Sequence, residues 1–146
     1  MSSALKNRLQ KDLNEARKER DKLRTLVLST TLSELRNREI ELGGEADEQE
    51  VLSVITRAVK RRREAASQAR DAARPEVAER EETEEVILSD YLPAAMTEDE
   101  VRELVMEIVA DGVRELGPVM GRLMPRLKGR FDGKEANRIV REVLAE

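Results

Sequence analysis

The chemistry that the sequence offers most clearly is recognition of a polyanion near its C-terminal end. Residues 118–141 hold seven basic side chains against two acidic ones, a local excess of five positive charges. The whole chain of 146 residues is acidic, with a formal net charge of −4. Such an asymmetry is typical of a surface that meets phosphate groups. The predicted nucleic-acid-binding residues are Arg122, Arg126, Lys128, Arg130, Lys134, Arg138 and Arg141.

The spacing within this set favours one shared surface. Lys134, Arg138 and Arg141 fall within about 60° of one another on a helix, opposite an apolar stripe. Lys128 and Arg130 lie in the segment just before that helix. Together these side chains could follow a phosphate backbone. The alternative is an ordinary solvated helix face, because exposed Lys and Arg are common on protein surfaces.

A second basic cluster has a different interpretation. Its members are followed by a helix rich in glutamate, and Arg74-Pro75 separates the two segments. If the two helices pair antiparallel about Pro75, Arg63 lies close to Glu84 and Glu85. Internal ion pairing is then the better explanation, although exposed pairs contribute only ~0–1 kcal/mol each. The cluster consists of Arg57, Lys60, Arg61, Arg62 and Arg63.

The composition argues against catalysis. The chain has no Cys and no His, which removes thiolate nucleophiles, thiolate metal ligands and the commonest general base. A hydroxyl nucleophile would need an adjacent base and oxyanion donors, and the mid-helix hydroxyls show neither. The sequence therefore predicts no catalytic residues, no metal site and no cofactor. The hydroxyls concerned are Ser29, Thr30, Thr31 and Ser33.

The fold class follows from apolar residues that recur at helical spacing along almost the whole chain. Helix starts are expected at Ser2 or Ser3, after Asp47, at Pro75 and after Thr97. Helix ends are expected before Gly43-Gly44 and at Gly129. The last helix is expected to be capped by Asp132 with Glu135. The pattern predicts an all-α protein of long N-terminal helices and a small C-terminal three-helix tail.

The predicted domain organisation places a boundary at a proline. Tyr91-Leu92-Pro93 is expected to form a linker, because the residue before proline avoids the helical conformation. This divides the chain into a helical N-terminal domain, residues 1–93, and a three-helix tail domain, residues 94–146. Apolar residues of the last helix, from Ala136 to Leu144, are expected to form part of the tail's core.

Several short motifs stand out along the chain, most of them near its C-terminal end. They are Gly117-Pro118-Val119-Met120-Gly121, Leu123-Met124-Pro125, Lys128-Gly129-Arg130, Asp132-Gly133 and Ile139-Val140, together with Leu23-Arg24, Arg62-Arg63-Glu64 and Tyr91-Leu92-Pro93. With these motifs the chain resembles the YqeY family, which is similar to the C-terminal region of the GatB subunit of tRNA-dependent amidotransferase. The resemblance covers nearly the whole chain, although Pro118 and Phe131 depart from the family's usual residues.

The resemblance implies a helical tail that helps the amidotransferase hold its tRNA, without that enzyme's catalytic domain. We therefore expect a non-catalytic module that binds tRNA or other structured RNA through its basic C-terminal face. The alternative is an adaptor that binds a translation-related protein, or an accessory factor for tRNA-dependent amidation, a carbon–nitrogen ligation with glutamine as amide donor.

Two further expectations concern location. No window approaches 18 uninterrupted apolar residues, so no membrane span is expected. The first residues have no apolar run of the kind a secretory signal requires. The sequence therefore predicts a cytoplasmic protein.

Overall fold

The computed structural model describes residues 3–146, and every regular element within that range is an α-helix. The all-α fold class is thus confirmed. The helices are α1 (Ala4–Lys18), α2 (Lys22–Leu42), α3 (Glu48–Asp71), α4 (Pro75–Ser89), α5 (Glu98–Ala110), α6 (Leu116–Leu127) and α7 (Gly133–Leu144).

Most helix boundaries follow from local side-chain chemistry. The side-chain oxygens of Ser3, Asp47 and Thr97 accept hydrogen bonds from the backbone N–H groups of the first turns of α1, α3 and α5. Pro75 occupies the first turn of α4, where its missing N–H is not needed. Gly43 ends α2 in the left-handed conformation, with φ of 75°. These sequence predictions are confirmed, except that Ser2 lies outside the described residues.

Two boundaries differ from expectation. Helix α6 begins at Leu116, two residues before Pro118, because a proline is tolerated in the first turn of a helix. Asp132 is the N-cap residue of α7, but its carboxylate accepts no capping hydrogen bond. The prediction that Asp132 caps this helix through its side chain was therefore wrong.

The first compact unit extends to Leu92 and contains α1 to α4. Helices α3 and α4 make the most extensive helix–helix contact in the chain. Ala66, Ala69 and Ala78 are buried together between them, so their small side chains allow a close approach. The main core of this unit lies around Leu9, Leu28 and Ile55, each fully buried.

Tyr91, shortly after the end of α4, packs in this core. Its side chain is 4% exposed and packs in the cluster that includes Leu88. Its hydroxyl donates to the carboxylate of Asp12 on α1, and the guanidinium of Arg8 lies 4.4 Å from the centre of its ring. Sequence reasoning did not foresee this packing, because a proline two residues later says nothing about long-range contacts. The assignment of Tyr91-Leu92-Pro93 to a linker stays a prediction.

The second compact unit runs from Pro93 to Glu146 and contains α5, α6 and α7. Each pair of these helices is in contact. Val101 and Val105 of α5, Leu123 of α6, and Ile139 and Val140 of α7 are fully buried at the centre. Phe131 packs against this core from the connection between α6 and α7.

Candidate nucleic-acid interface

The candidate site begins with a segment that contains no acidic residue. Residues 116–131 hold four basic side chains and no Asp or Glu, in a chain in which 40% of residues are charged. This is the longest acid-free stretch of the sequence. It covers the whole of α6 and most of the following connection. The local chain therefore offers these cations no nearby counter-charge.

Helix α6 presents two of the cations to solvent. Its apolar side is held by Val119, Leu123 and Leu127, which are fully buried. Arg122 and Arg126 are exposed one turn apart, a spacing that puts their Cβ atoms about 5–6 Å from each other. Arg126 is in the last turn, where the helix dipole favours positive charge.

The connection after α6 orients two more cations. Lys128 is the C-cap residue and is partly exposed, and Gly129 turns the chain with φ of 75°. The Nε of Arg130 donates to the carbonyl oxygen of Ala94 at 2.9 Å, while its own carbonyl accepts from the N–H of Met96 at 2.9 Å. Arg130 therefore also holds the start of this unit in place.

On α7 the central arginine is surrounded by carboxylates. Arg138 donates to Glu135 at 3.0 Å, to Glu142 at 2.6 Å and also to Glu98 of α5. These partners raise the pKa of the Arg138 guanidinium, the hydrogen bond to Glu135 contributing most and that to Glu142 next. Its charge is thus compensated where it stands.

The remaining cations of α7 lack such partners. Lys134 is exposed in the first turn. The Nε of Arg141 donates to the side-chain oxygen of Asn137 at 2.7 Å, which fixes the guanidinium without neutralising it. Gly133, just before Lys134, lies against Met124 of α6, since a Cβ at Gly133 would be 3.4 Å from its terminal methyl carbon. The start of α7 therefore lies beside the part of α6 that contains Met124.

The predicted set divides into three classes. Arg138 forms ion pairs with carboxylates, and Arg130 and Arg141 donate hydrogen bonds to neutral oxygens. The other four take part in no side-chain hydrogen bond or ion pair within residues 3–146. We call these four the free cations: Arg122, Arg126, Lys128 and Lys134.

Part of this division was visible in the sequence. Glu135 and Glu142 stand three and four residues from Arg138, which is ion-pairing distance on a helix. Glu98 is forty residues away, and only the packing of α5 on α7 brings it to Arg138. The count of charges within residues 118–141 included neither Glu98 nor Glu142.

Three of the five members of the second basic cluster are paired within residues 3–146, and two of these pair with α4 as the sequence predicted. Arg63 pairs with Glu85 and Arg62 lies 4.0 Å from Glu84, both on α4. Arg61 pairs instead with Glu34 of α2. Within residues 3–146, no three acidic side chains gather as metal ligands would.

A polar cluster in the first unit was missed by sequence reasoning. Asp12 receives the hydroxyl of Tyr91 and has Arg8 and Arg24 each at 3.9 Å. Burial, and then the hydrogen bond to the carboxylate of Asp12, raises the pKa of Tyr91 to about 12. No sequence signal links residues 79 positions apart. The cluster joins α1, α2 and the end of the unit, so its role is structural.

Comparison with known protein families shows which family the chain belongs to. A family model described as Yqey-like protein matches residues 6–144. The chain belongs to the YqeY family. This YqeY-family chain is also 28% identical over 143 residues to "Altered inheritance of mitochondria protein 41, mitochondrial" from Pyrenophora tritici-repentis (strain Pt-1C-BFP), over 94% of this chain and 79% of that protein.

These findings bear only partly on location. Within residues 3–146, no helix has the length and apolar character that a bilayer crossing would need. The similar fungal protein is named as mitochondrial. The cytoplasmic location of this YqeY-family chain therefore stays a prediction.

Proposed function

We propose that this YqeY-family chain binds structured RNA, with tRNA as the first ligand to test, and catalyses no reaction itself. The free cations carry the proposal, because four exposed or partly exposed positive charges have no carboxylate partner within the described chain. Phosphate oxygens are the natural partners of such side chains. The resemblance of the tail to that of the amidotransferase subunit makes tRNA the first choice among RNAs.

Recognition would depend on the phosphate backbone and on RNA shape. The chain has one Tyr, one Phe and no Trp. Tyr91 is buried in the first unit and Phe131 packs against the core of the second. No aromatic side chain is therefore free to stack on unpaired bases, as single-strand binding proteins require. Double-stranded RNA, by contrast, is recognised mostly by shape and by contacts to phosphate and 2′-OH groups.

The site also predicts which arginines matter. Arg122 and Arg126 can pair with phosphates without giving up an internal partner. Arg138 would first have to leave three carboxylates, and those carboxylates repel an approaching phosphate. RNA affinity should therefore depend on α6 far more than on the middle of α7.

The test measures the dissociation constant for a tRNA pool by filter binding at several KCl concentrations. Arg122→Gln with Arg126→Gln should weaken binding by about tenfold. The slope of the logarithm of the affinity against the logarithm of the KCl concentration should become shallower, by the equivalent of about two neutralised phosphates. Arg138→Gln should change the affinity by less than about threefold, because its charge is already compensated.

The matched control removes the same number of charges elsewhere. Arg36 and Arg57 are exposed helical arginines of the first unit that form no ion pair within residues 3–146. Arg36→Gln with Arg57→Gln should leave both the affinity and the salt dependence unchanged. Equal losses in the two double variants would show only non-specific attraction, and no binding by the unmodified chain at low salt would refute the proposal.

A further inference from the structure

A second cationic feature lies at the corner between α1 and α2. Leu26 is 47% exposed there and lines a shallow groove of about 520 Å³. Arg17, Arg20 and Lys22 line the groove together with Thr25 and Ser29. An exposed apolar side chain within a ring of like charges is typical of a surface that another molecule covers.

Local backbone chemistry leaves these cations available. Arg20 turns the chain in the left-handed conformation, with φ of 58°, so that α2 can begin at Lys22. The carboxylate of Asp21 accepts the N–H of Arg24 at 3.1 Å and is thereby used as the N-cap of α2. Within residues 3–146, no carboxylate pairs with Arg17, Arg20 or Lys22.

A complementary surface exists on α5. Met106 is 51% exposed, and Asp99, Glu103 and Glu107 are exposed on the same side of the helix. By helical geometry these four residues fall within about 100° of one another. None of the three carboxylates forms an ion pair with any residue from 3 to 146. This α5 face therefore presents one apolar side chain among three negative charges.

We infer that the α1–α2 groove of one copy receives the α5 face of a second copy. Three cations around Leu26 match three carboxylates around Met106, so the two surfaces agree both in charge and in having an apolar centre. The contact joins two different surfaces and is heterologous, which allows copies to associate head to tail. A second copy is the chosen occupant because the chain itself carries the surface that complements its groove.

The contact is a weak and salt-sensitive one. Each surface offers a single exposed apolar anchor, whereas a stable interface buries about 800 Å² on each partner. The surrounding charge pairs are exposed, and at about 0.15 M salt they are screened beyond roughly 8 Å. Association should therefore appear at low salt and high protein concentration and decline as salt is added.

The decisive experiment uses two charge-reversed forms of the full chain, treated with nuclease to remove RNA. The groove variant is Arg17→Glu with Lys22→Glu, and the face variant is Glu103→Lys with Glu107→Lys. Sedimentation equilibrium at low salt should show the average mass of the unmodified chain rising with concentration. Each variant alone should associate at least about tenfold more weakly, because like charges then meet. An equimolar mixture of the two variants should recover association, since both contacts are then between opposite charges.

The control variants move the same charges to other surfaces. Arg36→Glu with Arg57→Glu, and Glu45→Lys with Glu64→Lys, change exposed residues outside both surfaces and should leave self-association unchanged. Circular dichroism of every variant should match that of the unmodified chain. An unmodified chain that stays monomeric at hundreds of micromolar in low salt overturns the inference. So does a mixture of the two reversed variants that associates no better than either one alone.

Discussion

The arginines of α3 and those of α6 are similar in sequence and opposite in environment. On α3, Arg62, Arg63 and Arg70 each lie beside a glutamate of α4. On α6, Arg122 and Arg126 have no carboxylate beside them within residues 3–146. A basic run in a sequence therefore does not by itself indicate a binding surface. Whether such arginines are paired or remain available at the surface depends on the side chains of the helix that packs against them.

The difference has a simple cause. Helix α4 carries glutamates on the side that approaches α3, and one of them, Glu84, is buried. The neighbours of α6 contribute valine, isoleucine and alanine side chains to the shared core. Helix α3 therefore uses Arg62, Arg63 and Arg70 for pairing with α4, whereas α6 leaves Arg122 and Arg126 at the surface. Three changes, two in the first unit and one in α6, test how each unit is stabilised.

The largest effect is expected at the buried pair of the first unit. The side chains of Arg62 and Glu84 are only 12% and 11% exposed, and the Nε of Arg62 has no hydrogen-bond partner. Glu84→Leu leaves this guanidinium buried without a counter-charge and should lower the free energy of unfolding by about 3 kcal/mol. Urea denaturation followed by circular dichroism measures the change.

The same pair makes only a small net contribution when both partners are considered. Burial, and then repulsion from Glu81, raises the pKa of the Glu84 carboxyl despite the presence of Arg62. Replacing both residues, as Arg62→Met with Glu84→Leu, should therefore restore most of the lost stability. As a control, Glu82→Gln breaks the exposed pair with Arg70 and should cost less than about 1 kcal/mol. Equal losses at Glu84 and Glu82 would contradict the distinction between buried and exposed pairs.

The next effect concerns pH and the phenol of the first unit. The pKa of Tyr91 is raised from its ordinary 10.0 to about 12. The neutral phenol is therefore favoured in the folded state. The stability that this preference contributes is fully present below about pH 10. As the pH rises towards 12, the free energy of unfolding should fall by about 2 kcal/mol.

The measurement compares the unmodified chain with Tyr91→Phe across this pH range. The difference between their free energies of unfolding should shrink between pH 10 and 12, because phenylalanine does not titrate. Because the chain has one Tyr, the absorbance of tyrosinate gives the folded-state pKa without ambiguity. A titration midpoint near the ordinary value would show that the phenol is neither buried nor hydrogen-bonded to Asp12.

The smallest effect is expected on α6 itself. Gly121 is exposed within the helix, and a Cβ at this position would meet no atom within 4 Å. Gly121→Ala should therefore raise the free energy of unfolding of the second unit by about 0.5–1 kcal/mol. Thermal denaturation detects this as a higher midpoint. A loss of stability would mean that Pro125, four residues later, needs the freedom of glycine at Gly121.

Helix starts and ends were largely predictable because they depend on local chemistry. Asp47, Thr97 and Gly43 act through backbone groups a few residues away, and a sequence displays such relations directly. The pairing of Arg63 with Glu85 was also predictable, since a turn at Pro75 fixes which residues of α3 and α4 lie side by side.

What the sequence did not show are relations that only tertiary packing creates. Arg138 was predicted to bind nucleic acid, and Glu98 reaches it from a helix forty residues earlier. The hydroxyl of Tyr91 donates to a carboxylate 79 residues away. For the candidate site, the sequence indicated the segment but could not distinguish Arg122 and Arg126 from Arg138. The RNA ligand and the domain boundary at residue 93 stay predictions.

The burial of Tyr91 has one practical consequence. With no Trp and a single Tyr, the tyrosine emission of the molecule arises from the first compact unit alone. Far-ultraviolet ellipticity, in contrast, comes from the helices of both units. A heating experiment that records both signals thus reveals whether the two units melt together or in succession, with no dye or added label.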